Sequence, residues 1–197
     1  MTFAHASTPE PHGAMTAVTR NVAIGQFGFA LFIAICVALH PGIVLKANEG
    51  GLSNYGVHAK TVVPYTLALA LAAGFSLQAA RTLHAQATPS RRLERLLTTY
   101  GALVLLTLVT TYAYTLNTAL KDLHLGVGVV ITVFEFVASL WMYGELRSLR
   151  LVVVIELCGF LLAALTFFGV LHVLFLTQLL VGGSFALFLI KTAQKLT

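Results

Sequence analysis

Two carboxylates lie inside long apolar stretches, Glu135 in LGVGVVITVFEFVASLWMY and Glu156 in LVVVIELCGFLLAALTFF. Stretches of this kind are long enough to cross a hydrocarbon core, which takes about 20 mostly apolar residues. An ionisable side chain there costs at least ~2.5 kcal/mol on insertion scales, so its presence points to a site. Glu135 falls about eleven residues into its stretch, ~16 Å deep and close to the bilayer midplane. It belongs to a stripe, His124, Gly128, Thr132, Glu135 and Ser139, recurring at helical spacings of three and four and so sharing one face. Glu156 falls about five residues into its stretch, roughly 8 Å deep, near enough to the interface to meet Arg147 or Arg150. Such carboxylates hold a proton, a cation or the positive group of a substrate. The competing reading is a neutral acid that hydrogen-bonds Thr, Tyr or Gln of another span.

Other stretches supply polar side chains to the same interior. Thr107, Thr111, Tyr114 and Thr118 recur in one, Gln178, Gly182 and Ala186 in another, and Glu156 shares a face with Gly159, Ala163 and Thr166. The expected ligand or proton site is therefore Glu135 with His124, Thr132, Ser139, Glu156, Gln178 and Tyr114. A second candidate constellation is His40, His58, His124 and His172, which all map to one side of the apolar stretches together with Glu49 and Asp122. Neutral imidazoles near carboxylates are ligands for zinc, copper or iron and sensors of external pH. Their spacing matches no metal motif, and amphipathic residues are common at helix ends. Metal or haem binding is thus the alternative, and no cofactor is expected. The chain has no phosphate loop, HExxH, GxSxG, CxxC or CxxCH. Gly182-Gly183-Ser184 reads as a packing site and not as a nucleophile.

The elements that must position these groups follow from composition. Of 197 residues, 58% are apolar and only 10% charged, whereas a soluble domain carries about 25% charged residues. So little charge cannot cover a water-facing surface. The class expected is all-α, a six-transmembrane helix bundle. Its spans run about 22–39, 62–80, 96–116, 125–143, 151–168 and 174–190, with the last two forming a hairpin around Gly169 to Val173. Residues 21–191 make the transmembrane domain. Residues 1–20, with Pro9, Pro11 and Gly13, read as a flexible tail, and 192–197 as a second short tail.

Lys and Arg set the orientation. Arg20, Arg81, Arg91, Arg92, Arg95, Arg147, Arg150, Lys191 and Lys195 all fall on one side, and only Lys46, Lys60 and Lys121 on the other. This nine-to-three split places both termini in the cytoplasm. The net charge of +5 is dispersed between apolar stretches and forms no patch, which argues against nucleic acid as a partner. Cys36 and Cys158 fall at opposite depths and are not expected to pair.

The longest outer segment, His40 to Thr61, reads HPGIVLKANEGGLSNYGVHAKT. Its Pro-Gly, Gly-Gly and Asn-Tyr-Gly turns are interleaved with Ile43, Val44, Leu45 and Leu52. That pattern suits a compact loop folded back on the helix ends, or a segment resting on headgroups. Leu52-Ser53-Asn54-Tyr55-Gly56 resembles the I-S-x-x-G signature in the first outer loop of the six-span superfamily of DRAM-like membrane proteins and its bacterial branch, with Leu in place of Ile. The resemblance implies six spans, an internal N-terminus and a non-enzymatic role. The function expected is a plasma-membrane protein that binds or transports a small or lipid-like molecule, or an accessory subunit that joins a membrane partner or a second copy. The alternative is an outer-face metal- or haem-binding protein or enzyme.

Overall fold

A computed structural model of the chain describes residues 12–45, 51–87, 89–113, 115–143 and 149–196. Tyr114, Lys46, Glu49 and Arg147, all singled out above, lie outside the described residues. Among the described residues the structure is helical, with no strand. Six helices are long and apolar enough to cross a membrane. They are α1 (His12–Leu39), α3 (Val62–His84), α4 (Arg91–Ala113), α5 (Thr118–Tyr143), α6 (Arg150–Phe167) and α7 (Leu174–Lys195). A short α2 (Gly42–Leu45) and a 3-10 turn (Leu52–Gly56) lie between α1 and α3.

The six long helices close into a ring in chain order: α1 packs on α3, α3 on α4, α4 on α5, α5 on α6, α6 on α7, and α7 returns to α1 and also touches α5. Glycines set the close approaches. A Cβ on Gly25 would stand 2.9 Å from Phe75 Cβ and 3.2 Å from the Leu71 carbonyl oxygen, so α1 and α3 meet almost backbone to backbone. Gly101 against Leu77 does the same for α3 and α4, and Gly159 against Val181 for α6 and α7. Gly182 and Gly183, expected as a packing site, differ: a Cβ on either would meet nothing within 4 Å. Among the described residues Gly182-Gly183 is therefore not a helix contact, because the inward face of α7 is instead Thr177, Val181, Ser184, Phe185 and Phe188.

The outward surface is apolar. Phe27, Val109, Leu151 and Phe167 are each about two-thirds exposed, and Leu31, Leu67, Leu106, Val130, Leu161 and Leu187 join them. A continuous apolar exterior of this extent is stable only in lipid. At one end of the bundle Arg92 lies over the Trp141 ring, 5.6 Å from its centroid, and His84 and Arg91 both contact Glu94 at 2.8 and 3.1 Å. Charged and aromatic side chains gathered at helix ends form an interfacial belt. This is termed the basic end, and the other the loop end.

Several boundaries differ from those read in the sequence. Residues 12–20, assigned to the N-terminal tail, are helical and belong to α1. Val18 and Val22 are fully buried, which draws the helix beyond the apolar run. α4 ends at Ala113, and Thr118, assigned to the third span, is exposed and opens α5. Bilayer thickness limits the apolar run and leaves helix length free, so flanking polar turns remain helical. The expected hairpin is present. Gly169, at φ 74°, stops α6, with Val170 N–H donating to Leu165 O and Gly169 N–H to Thr166 O, the αL helix stop that favours glycine. Both cysteines are free.

Candidate functional site

The stripe on α5 points inward: His124, Glu135 and Ser139 are buried, and Thr132 is half-buried with its hydroxyl donating to Gly128 O of its own helix. The polar residues expected to surround Glu135 divide into two groups, however, about 16 Å apart along α5.

The deep group surrounds Glu135. Glu156 comes from α6, is fully buried, and acts electrostatically on Glu135. It does not turn toward the interface as expected. Arg150 is exposed, and neither carboxylate oxygen of Glu156 completes a hydrogen bond. The reason is helical phase, because Glu156 shares its buried face with Val153 and Gly159, and Gly159 lets α7 close over it. Ser139, one turn along α5 from Glu135, faces Glu156, and its hydroxyl is buried and likewise unpaired. Tyr100 of α4 faces Glu135 and is reached by Gln26 of α1, whose Nε2 is buried without a hydrogen bond. Tyr100 and Gln26 were missed in the sequence. Each is one polar residue in an otherwise apolar turn, and only their convergence gives them meaning. Phe185 of α7 packs against both Tyr100 and Phe134 and seals the side of the group.

All five residues lie in one layer. Counted at 1.5 Å per residue from the basic-end limits of the apolar spans (Ala17, Arg91, Tyr143 and Arg150), Gln26 and Tyr100 are about 14 Å in, Glu135 about 12 Å, Glu156 about 9 Å and Ser139 about 6 Å. Among the described residues no Lys, Arg or His pairs with either carboxylate.

The shallow group sits at the loop end. His124 Nδ1 lies 2.9 Å from Thr110 Oγ1, and its Nε2 lies 2.7 Å from Ser53 Oγ. Gln178 Oε1 accepts from Leu52 N–H at 2.7 Å. His124 and Gln178 thus serve the 3-10 turn and not Glu135. The turn is compact for the reasons its composition implied. Tyr55 is fully buried edge-on to Phe175, and Gly56 sits where a Cβ would come within 2.5 Å of Thr111 and 2.7 Å of Tyr65. Thr61 donates to Tyr55 O at 2.7 Å, and Tyr65 bonds Thr111 at 3.2 Å. Burial pushes the Tyr55 phenol up from its ordinary value, so it stays neutral.

The four histidines do not gather. His40 and His58 touch, with ring centroids 4.8 Å apart, whereas His124 is held by Thr110 and Ser53, and His172 is exposed at the start of α7. Among the described residues no three His, Cys, Asp or Glu side chains stand close enough to hold a metal ion.

No family model, no curated protein and no solved structure matches the chain.

Proposed function

We propose that the chain is a non-enzymatic, multi-pass protein of the cell membrane that binds or transports a small or lipid-like molecule through its bundle interior, with Glu135 as the residue that recognises it. The observation that carries this reading is a carboxylate 7% exposed inside an apolar span, with Tyr100 and Glu156 facing it from two neighbouring helices, and Gln26 and Ser139 beside those two. A bundle selected for packing alone would fill that layer with Leu and Val, because a buried acid without a basic partner is a standing cost. The Leu52–Gly56 turn, clamped by His124 and Gln178, forms a lid over the loop end. The resemblance of Leu52-Ser53-Asn54-Tyr55-Gly56 to the DRAM-like signature supports the same non-enzymatic role.

Six crossings put both termini on one side, and the excess of Lys and Arg makes that side the cytoplasm. Ala59 is exposed in the first connection, so Ala59→Cys in a Cys36→Ser, Cys158→Ser background is expected to react with a membrane-impermeant maleimide on intact cells. Labelling only after permeabilisation would reverse the orientation.

The functional test is Glu135→Gln, because Gln is nearly isosteric and hydrogen-bonds but cannot ionise. Native mass spectrometry of the purified protein should show a co-purified molecule retained by the wild type and lost from Glu135→Gln, with the thermal unfolding midpoint unchanged. Equal retention by both would remove Glu135 from recognition and leave the accessory-subunit reading ahead.

A further inference from the structure

The first connection, between α1 and α3, brings two histidine rings together. His40 closes α1, its N–H donating to Cys36 O at 3.0 Å, and its own carbonyl accepts Ile43 N–H at 3.3 Å. His58 leads into α3, its carbonyl accepting the N–H groups of Thr61 and Val62 at 3.0 and 2.9 Å. Both backbones are pinned, so the meeting of the rings is set by the fold. The apolar spans end at Leu39 and resume at Val62, so both histidines stand just outside them. His58 is exposed and His40 half-buried, within reach of dissolved ions.

A histidine binds a metal through a ring nitrogen that nothing else occupies. Elsewhere those nitrogens are engaged: His84 Nδ1 lies 2.8 Å from Glu94, and both nitrogens of His124 are taken by Thr110 and Ser53. Among the described residues the rings of His40 and His58 have each other as neighbours and no hydrogen bond. Gly42 keeps one edge of His40 open. A Cβ there would stand 3.6 Å from both Nδ1 and Cε1, in ordinary contact, so its absence leaves space beside that nitrogen. The spacing of the rings is also that of a chelate. With metal–nitrogen bonds of ~2.0–2.1 Å, two imidazoles on one ion, at angles between square-planar and tetrahedral, hold their centroids about 4.5–5.2 Å apart. The observed separation is 4.8 Å, with the planes tilted by 55° and not stacked.

We infer that His40 and His58 form an exchangeable site for a divalent transition metal of the zinc and copper(II) class, joining the end of α1 to the start of α3. Imidazole selects these ions over magnesium and calcium, which take oxygen ligands. Among the described residues no third His, Cys, Asp or Glu stands close enough to ligate, so water fills the remaining positions and the ion comes and goes. Bound, it closes the connection that carries the Leu52–Gly56 turn at its base. The site is separate from Glu135 and does not depend on the interior reading.

The test uses the full chain, purified without a polyhistidine tag, and copper(II) or zinc(II) salts alone. Pulsed electron paramagnetic resonance counts the imidazoles on copper(II) added below one equivalent. It should find two in the wild type and in His172→Asn, and fewer in His40→Asn and in His58→Asn. Calorimetry should show one zinc(II) site that either of those last two substitutions weakens by about tenfold or more, since each removes the chelate. His58 is exposed, so His58→Asn should keep the metal-free unfolding midpoint and decides the matter even if His40→Asn fails to fold. Zinc(II) should raise the midpoint of the wild type and not that of His58→Asn. No binding by the wild type, or affinity and imidazole count unchanged in His58→Asn, which would mark an adventitious ion only, would overturn the proposal.

Discussion

Tyr55→Ala is expected to lower the stability of the protein by about 3–5 kcal/mol, the loss typical of truncating a fully enclosed aromatic. Tyr55 has no exposed surface and sits edge-on to Phe175, 6.3 Å between ring centroids. Its turn connects Leu52 to Gln178 of α7, Ser53 to His124 of α5, and Gly56 to Tyr65 and Thr111 of α3 and α4. Removing the ring therefore leaves a cavity at the point where four helix ends meet, and close packing prevents the neighbours from collapsing fully into it. Tyr55→Phe should behave differently. The phenol oxygen is buried without a hydrogen bond, so its removal should be neutral or slightly stabilising. Thermal unfolding in detergent or nanodiscs measures both. A large loss in Tyr55→Phe would show that the hydroxyl has a partner that matters, and little loss in Tyr55→Ala would show that the turn does not anchor the bundle.

Glu156→Met is expected to stabilise the fold by about 1–3 kcal/mol, which is the cost of a buried polar group left without a partner. Glu156 is fully buried, and neither carboxylate oxygen completes a hydrogen bond. Methionine keeps the length and flexibility of the side chain and removes the polar head, so the site next to Gly159 and Ser139 can refill without a void. At about 2–4 °C per kcal/mol for a chain of this size, the midpoint should rise by several degrees. The direction is the informative part. Most substitutions of fully buried residues destabilise, so a gain here would mark a group retained for what it does. A drop in the midpoint would mean instead that Glu156 is satisfied in the folded protein and contributes to packing.

Much of the site was legible along the chain because lipid imposes a severe rule. An acid in the middle of an apolar run must face protein, so the inward position of Glu135, and of His124 and Ser139 on the same stripe, follows from spacing alone. The burial of Ile43 in the first connection was legible for the same kind of reason, since it is too apolar to stay in water. What spacing could not give is which residues on different helices meet. Gln178 and His124 lie on inward faces, as expected, yet both are taken up by the Leu52–Gly56 turn, because a backbone N–H and a hydroxyl brought there by the loop are nearer than Glu135. Glu156 read as an interfacial residue because five positions from a span end allows an escape to water. Its helical phase against α7 closes that escape.

The amino-acid sequence by itself determined the all-helical class, the number of apolar helices and the burial of Glu135, since the length of an apolar run and the cost of charge in hydrocarbon are properties of single segments. Only the tertiary structure decided that Glu135 stands with Glu156, Tyr100, Gln26 and Ser139 while His124 and Gln178 hold the turn at the other end. These are contacts between residues far apart in the chain. They depend on the rotation of each helix about its axis, which is set by where glycines such as Gly25, Gly101 and Gly159 let two backbones come together.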